Sequence, residues 1–286
     1  AVPQPEPKVS IIIPNKDQLS VLTTCVESLI ERVTYQNFEI CIIENNSTTE
    51  EIFEYYREIQ HRDERVKVVF WPDEFNYSKL MNFGADNTTG DYLLLLNNDT
   101  EVITPEFIEI MLGHFARPET GVVGAKLFFY DGLVQHAGVT IGPGAGAVGH
   151  TNQNFSRSTE GYMGRAVRPG NFSAVTGACQ MVKRAIFNQV KGYTEDFAVG
   201  FNDIDFCLKV QQAGYVIAFT PYAQLYHREF ASRGRDSFTL SKQIRFERER
   251  ALMHLKWPEV FVSGDPYANP NLDKESVYFA LGSDKW

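Results

Sequence analysis

The chain has 286 residues, 43% of them apolar and 13% aromatic, which is enough to bury the core of one elaborated α/β domain. A net charge of -9 and a sequence pI near 5.2 exclude a global field that attracts nucleic acid. No apolar run reaches the roughly 18 residues a membrane span requires, and the N-terminus lacks the basic-then-apolar layout of a signal peptide, so a cytoplasmic chain is expected.

The first residue is Ala1, and Val2 to Pro7 carries three prolines, so residues 1–8 read as an extended linker from a longer protein. Val9 to Ile13 is a β-branched run that Pro14 is expected to stop, and Leu19, Leu22, Val26, Leu29 and Ile30 then recur at helical spacing. The unit repeats: Phe38 to Ile43 reads as a second strand, and acidic Glu50 and Glu51 open a helix through about Gln60, suiting its dipole. Val66 to Phe70 is a short third strand and Tyr77 to Asp86 a helix. Tyr92 to Leu96, with four consecutive leucines, is a strand buried on both faces, and Ile108, Met111, Leu112 and Phe115 mark the inner face of the next helix. This alternation predicts a Rossmann-like, mainly parallel central sheet flanked by helices. From Leu127 to Asn171 the pattern is weak, and short strands around a mobile loop are expected. Helices follow over Lys183 to Val190 and Asp203 to Ala213, then strands Val216 to Thr220 and Gln224 to Tyr226, a charged helix from Thr239 to Leu255, and an irregular tail from Trp257 to Trp286.

Ligands bind beyond the carboxyl ends of the strands in such sheets, which draws attention to Asn97, Asn98 and Asp99 after the leucine run; the same residues also suit a turn. Gly144 to Gly149 matches the dinucleotide fingerprint but no helix follows to receive a pyrophosphate, so a glycine loop is the better reading. Cys25, Cys41, Cys179 and Cys207 form no Cys-x-x-Cys pair and read as reduced core thiols, and the scattered cysteines and histidines supply no zinc site; a hard-cation site with oxygen ligands suits the chain better. Asn202 with Asp203 and Asp205 reads equally as the capped first turn of a helix and as a carboxylate aimed into a cleft for general-base work. His227 ends a strand, and Arg228, Arg233 and Arg235 after it suit either solvent or a diphosphate. Lys242, Arg245, Arg248 and Arg250 lie on a helix where Glu247 and Glu249 favour a solvated face over an anionic lipid surface.

In order, these segments resemble the inverting family 2 glycosyltransferases, which have the GT-A fold, from Val9 to about Asp236. Val9 to Asn15 is similar to the family's first strand and nucleotide-contacting loop, with Pro14, Asn15 and Asp17, and Ile43 to Ser47 is similar to the base-reading loop, with Glu44 and Asn45. Asn98 and Asp99 occupy the place of the metal-binding Asp-x-Asp, with an amide in place of one acid. The resemblance thus implies that Asp99 and His227 hold Mn²⁺ or Mg²⁺ against the donor diphosphate. Ala174 to Cys179 resembles the segment lining the sugar pocket, which implies Gly177 and Ala178 on the donor side and Thr176 with Asn202 on the acceptor side. Asp203 matches the catalytic base, and Arg233 is placed at the diphosphate. Asp73 to Ser78, Ser232 to Gly234 and Asp265 to Asn271 resemble the branch containing bacterial rhamnosyltransferases and O-antigen or capsule enzymes, which adds Asn76 and Lys79 to the donor-side candidates.

The expected organisation is a linker over 1–8, a GT-A domain over 9–236 with a nucleotide-binding half (9–125) and an acceptor and catalytic half (126–236), and a packed C-terminal helix and tail over 237–286. The expected donor is a UDP-hexose or dTDP-rhamnose and the expected acceptor a saccharide or lipid-linked polysaccharide. No nucleic-acid partner is expected; peripheral contact with the inner face of the cell membrane and further domains are compatible with the reading. Two alternatives stand beside it. A sugar nucleotidyltransferase would carry a glycine-rich loop after the first strand, where Pro14 to Asp17 has no glycine. A non-catalytic scaffold domain of a larger synthase is kept open by the amides at 98 and 202.

Overall fold

Two-sided burial organises the first half of the chain. The computed structural model describes residues 2–141, 148–228, 239–269 and 271–273. Strands β1 (Val9–Asn15), β2 (Phe38–Glu44), β3 (Val66–Phe70) and β4 (Tyr92–Leu96) alternate with helices α1 (Leu19–Arg32), α2 (Glu50–Arg62) and α3 (Tyr77–Asp86). β1 pairs in parallel with β2 and β4, and β2 with β3. Side chains alternate across this sheet, so Ile11, Ile13, Leu94 and Leu96 pack on one face with Leu22 and Val26 of α1. Ile12, Leu93 and Leu95 pack on the other with Leu80 and Met81 of α3. All four leucines of β4 are fully buried, worth about 2 kcal/mol each in transfer free energy. Helix α3 approaches the sheet closely because Gly84 has no Cβ; one built there would stand 2.4 Å from Ile12 Cγ2.

Pro14 does not stop β1, which continues to Asn15. The ladder to β4 ends at Ile12, and Asn15 accepts from Asn45 on the β2 side, so the missing N–H of Pro14 falls where no strand bond is lost.

The second half extends the sheet. β5 (Thr100–Val102), α4 (Phe107–His114), β6 (Thr120–Phe128), β7 (Val134–His136), β8 (Val139–Ile141), β9 (Val148–His150), β10 (Gly170–Phe172), β11 (Cys179–Lys183), α5 (Arg184–Gln189), α6 (Asn202–Gln212), β12 (Val216–His227), α7 (Leu240–Lys256) and α8 (Pro258–Ser263) follow in order. The main sheet runs β10-β12-β6-β11-β4-β1-β2-β3, with β5 on β12 and β7 on β6. β11 is antiparallel to both of its neighbours, with Cys179 opposite Leu96.

Several expectations change here. The central strand β6 and its neighbour β11 were not expected as strands, and the two C-terminal strands form one, β12, with a register shift between Thr220 and Gln224. Much of 127–171 is ordered into short strands and turns, while most of the glycine loop falls at 142–147, outside the described residues. The tail begins with a helix, α8, because Pro258 sits in its first turn, where no N–H is needed. Among the described residues, no helix is long and apolar enough to cross a membrane.

Candidate active site

Four strand tips and one helix end meet at the carboxyl edge of the sheet. After Leu96 the chain turns through Asn97, Asn98 and Asp99, and a relay of side-chain hydrogen bonds ties this turn to the tips of β1 and β2. Asn98 Nδ2 donates to Asn15 Oδ1 (2.6 Å), Asn15 Nδ2 donates to Tyr56 Oη (2.7 Å), and the Tyr56 hydroxyl donates to Glu44 Oε2 (2.6 Å). The amide at 98 is therefore a donor inside a buried network, a task a carboxylate cannot perform. Ser47 donates to Glu44 through both its N–H and its hydroxyl. Asp17, in the left-handed region at φ 50°, accepts from Thr48 N–H (2.7 Å) and Thr49 N–H (3.3 Å), stitching the β1 loop to the start of α2. Asn45 and its neighbour Asn46 each donate to the Asp73 carbonyl (2.9 Å).

Asp99 and His227 form the second group. Both are buried, at 5% and 6% exposure. β12 brings His227 opposite Thr100 of β5, and Arg228 N–H donates to the Asp99 carbonyl (2.9 Å). His227 Nε2 lies 3.0 Å from Asp99 Oδ1 and 3.2 Å from Asn97 Nδ2. When Nδ1 carries the proton, Nε2 has a single lone pair, which can either accept from the Asn97 amide or ligate a cation shared with Asp99 Oδ1. The separation of Nε2 and Oδ1 equals the spacing of adjacent ligands around a divalent ion bound at about 2.1 Å, roughly 3.0 Å. Asp99 and His227 thus fit a metal as two of its ligands. Among the described residues, no group of three or more His, Cys, Asp or Glu could hold an ion.

The third group is the segment before β11 and the start of α6. Asn97 N–H donates to the Ala178 carbonyl (3.1 Å). Gly177 is pinned at both ends, its N–H donating to Asp203 Oδ2 (2.9 Å) and its carbonyl accepting from the Tyr77 hydroxyl (2.9 Å). Asp203 Oδ1 accepts from Ile204 N–H (2.9 Å), and Asn202 Oδ1 accepts from Asp203 N–H (2.7 Å). Asp203 stays half-buried, and of the roughly four acceptor positions of a carboxylate two are used. A continuous path, His227, Asn97, Ala178, Gly177, Asp203, therefore connects the Asp99 and His227 pair at the sheet edge to the carboxylate at the helix end.

The remaining sequence candidates are placed as follows. Thr176 and Ala178 are buried in the pocket segment, and Thr176 Oγ1 accepts from Ala178 N–H (3.3 Å). Asn76 caps α3, accepting from Lys79 N–H (3.0 Å) and donating to the Glu195 carbonyl (2.8 Å), with Lys79 half-buried one turn in. Pro14 lies within β1. Arg233 and Ser232 to Gly234 fall outside the described residues. Tyr56 and Tyr77 join the site without having been singled out from the sequence, while Asn97 was named there only with the turn after the leucine run. So does His136, fully buried, whose Nε2 accepts from Thr176 N–H (3.4 Å) and whose Nδ1 lies 2.9 Å from His150 Nδ1. Burial, reinforced by His150 and His227, pushes the His136 pKa well down, which suits its acceptor role. A lone histidine in an irregular stretch carries no sequence signal for this.

Residues 10–191 match the family model described as Glycosyl transferase family 2. The chain is 43% identical over 281 residues to "Uncharacterized protein y4gI" of Sinorhizobium fredii, covering 98% of this chain and 31% of that protein. It is 36% identical over 271 residues to the O-antigen biosynthesis protein RfbC of Myxococcus xanthus, covering 93% of this chain and 20% of that one. The chain thus spans less than a third of the length of these two relatives. Among solved structures, GalNAc-T7 with UDP, GalNAc and Mn²⁺ superposes with a TM-score of 0.65 at 17% identity, over 89% of this chain and 52% of that one, a likeness of fold.

Proposed function

The chain belongs to glycosyl transferase family 2, with the GT-A fold, and from that premise we propose that it moves a sugar from a nucleoside-diphosphate donor to a hydroxyl of a bacterial cell-surface polysaccharide, with inversion at the anomeric carbon. The observation that carries the proposal is the hydrogen-bonded path from His227 to Asp203, which sets the Asp99 and His227 pair and a half-buried carboxylate at one sheet edge. The polysaccharide acceptor is supported by likeness to RfbC, whose name states a role in O-antigen biosynthesis. A UDP-hexose or dTDP-rhamnose is the donor we favour.

In the proposed reaction Asp203 accepts the proton of the acceptor hydroxyl while that oxygen bonds to the anomeric carbon and the bond to the diphosphate breaks on the opposite face. Gly177 N–H and Ile204 N–H hold the carboxylate in place, so that little reorientation is needed when the proton arrives. Mn²⁺ or Mg²⁺ held by Asp99 and His227 would offset the charge that develops on the departing diphosphate. Pro14, Asn15, Asp17, Glu44 and Asn45 border the nucleotide side, with Asn76, Lys79 and Arg233 as further donor contacts; Thr176 and Asn202 border the acceptor. The division into a GT-A domain over 9–236 and a C-terminal helix and tail over 237–286 packed on it, the cytoplasmic location and any peripheral membrane contact belong to the same proposal.

The test is thermal stability against UDP-, dTDP- and GDP-sugars, each with Mn²⁺ and with chelator. A donor at about a hundred times its dissociation constant adds roughly 2.7 kcal/mol. A metal-dependent shift with one nucleotide is expected; a folded sample that shifts with none would favour the scaffold reading.

A further inference from the structure

The charged helix α7 does not present all of its acids to solvent. Glu247 does, in a surface pair with Arg250 (2.6 Å), but Glu249 turns inward and is only 3% exposed. Its two oxygens accept from consecutive backbone N–H groups, Val199 to Oε1 (3.0 Å) and Gly200 to Oε2 (3.0 Å). The Val199 carbonyl in turn accepts from Asn202 Nδ2 (3.0 Å), and Asn202 Oδ1 accepts from Asp203 N–H (2.7 Å). Phe201, between them, holds a left-handed φ of 61° and packs on Phe246 of α7, ring centroids 5.3 Å apart. On the far side of Asp203, the fully buried Asp205 accepts from Trp257 Nε1 (2.9 Å) and pairs with Lys256 (2.7 Å). Helix α7 and the residue after it therefore grip the chain on both flanks of Asp203 without touching Asp203 itself.

We infer that Glu249 is a positioning residue for the transfer reaction: by fixing the peptides of Val199 and Gly200 it sets, through Asn202, the orientation of the Asp203 carboxylate. The inference rests on the reading of Asp203 as the base. A charged acceptor held by two backbone donors is a strong, directional link, and the strained turn at Phe201 needs such an anchor. The C-terminal helix is thus part of the catalytic unit, although it lies beyond residues 10–191 that match the family model.

Glu249→Gln keeps the side-chain volume but can accept from only one of the two N–H groups. Two readouts are made on the full chain. The first is amide hydrogen exchange at Gly177, whose N–H reports the place of Asp203 Oδ2, with Gly90, bonded to Ser10 Oγ at the opposite edge of the sheet, as the control. The second is release of nucleoside diphosphate from UDP-glucose and from dTDP-rhamnose with Mn²⁺. Faster exchange at Gly177 by about tenfold or more with Gly90 unchanged, and kcat reduced at least tenfold with donor KM within twofold, are expected. Equal acceleration at both amides, or kcat within twofold of the parent, overturns the inference. If Glu249→Gln lowers the folded fraction, Gly200→Ala probes the same link from the loop, where a Cβ would stand 3.0 Å from Glu249 Oε2; it is expected to change Gly177 exchange and kcat in the same directions. In an Asp203→Asn background Glu249→Gln should lower kcat no further. An active Asp203→Asn protein defeats the base reading, and the inference with it. An inactive Asp203→Asn protein beside a fully active Glu249→Gln protein defeats the inference alone.

Discussion

Replacing Asp203 by Asn separates the chemical role of the carboxylate from its structural one. Asp203 Oδ2 accepts from Gly177 N–H and Oδ1 from Ile204 N–H, each at 2.9 Å. An amide supplies only one oxygen, so in either rotation one N–H group meets the new NH₂ rather than an acceptor. At a half-buried position this costs about 1 kcal/mol, which lowers the melting temperature by roughly 2–4 °C in a chain of this size. Loss of a general base costs about two to four orders of magnitude in rate, or roughly 2.7–5.4 kcal/mol in the barrier. The fold should therefore persist while turnover collapses. The assay is nucleoside diphosphate release at saturating donor, normalised to the folded fraction, with nucleotide affinity measured by calorimetry. Turnover within fivefold of the parent protein, with the protein folded, would refute Asp203 as the base.

Asp99→Ala should abolish the difference between Mn²⁺ and chelator in the thermal shift produced by nucleotide, and an equal loss of nucleotide affinity with and without metal would argue against a ligand role. Asn98→Asp should destabilise the protein by about 1–3 kcal/mol in urea denaturation, because a carboxylate would face Asn15 Oδ1 at 2.6 Å and the Asn15 amide would have to turn away from Tyr56; unchanged stability would show that the relay contributes nothing. Glu39 gives a pH signature. Burial raises its pKa, but the Thr89 N–H, the Ser10 hydroxyl, Lys8 and the Lys67 charge more than reverse this and hold it down, from 4.5 to about 2. A depressed folded value stabilises the protein above the unfolded pKa, and that stabilisation is lost as pH falls through the interval toward 2. The stability difference between the parent and Glu39→Gln should shrink by about 1–2 kcal/mol between roughly pH 6 and pH 3, allowing for the partly exposed lysines. A difference that does not change with pH would contradict this.

The first seven elements, β1 to β4 with the helices between them, were legible because most of them have a uniform period. The β-branched and leucine runs of β1, β2 and β4 are buried on both faces, and the helices between them carry apolar stripes at regular spacing. β6 was not legible, since Gly121 and Gly124 weaken its strand pattern and Lys126 adds a charge. The fold explains those glycines: a Cβ at Gly124 would stand 2.4 Å from Val175 Cβ, and one at Gly121 2.4 Å from Val210 Cγ1. β12 read as two strands because Pro221 interrupts the apolar pattern where the register shifts. At the site, Asp99, Asp203 and His227 could be proposed because strand ends and a helix start place acids and imidazoles at predictable edges. Tyr56, Tyr77, His136 and Glu249 could not, because each acts through a partner distant in sequence: Tyr77 and Gly177 are 100 residues apart, and Glu249 and Val199 are 50 apart.

The reversed strand β11 has a consequence for how this architecture can change. Cys179 stands opposite Leu96, so the start of β11 and the end of β4 share one edge, and the residues before β11 emerge beside those after β4. Everything between Thr100 and Ser173 is therefore an excursion that leaves the carboxyl edge of β4 and returns to it. Lengthening such a closed excursion costs only about 0.6 kcal/mol per doubling. The exposed turn at Tyr130 and Asp131 can then be lengthened while Asn97 N–H and the Ala178 carbonyl still meet.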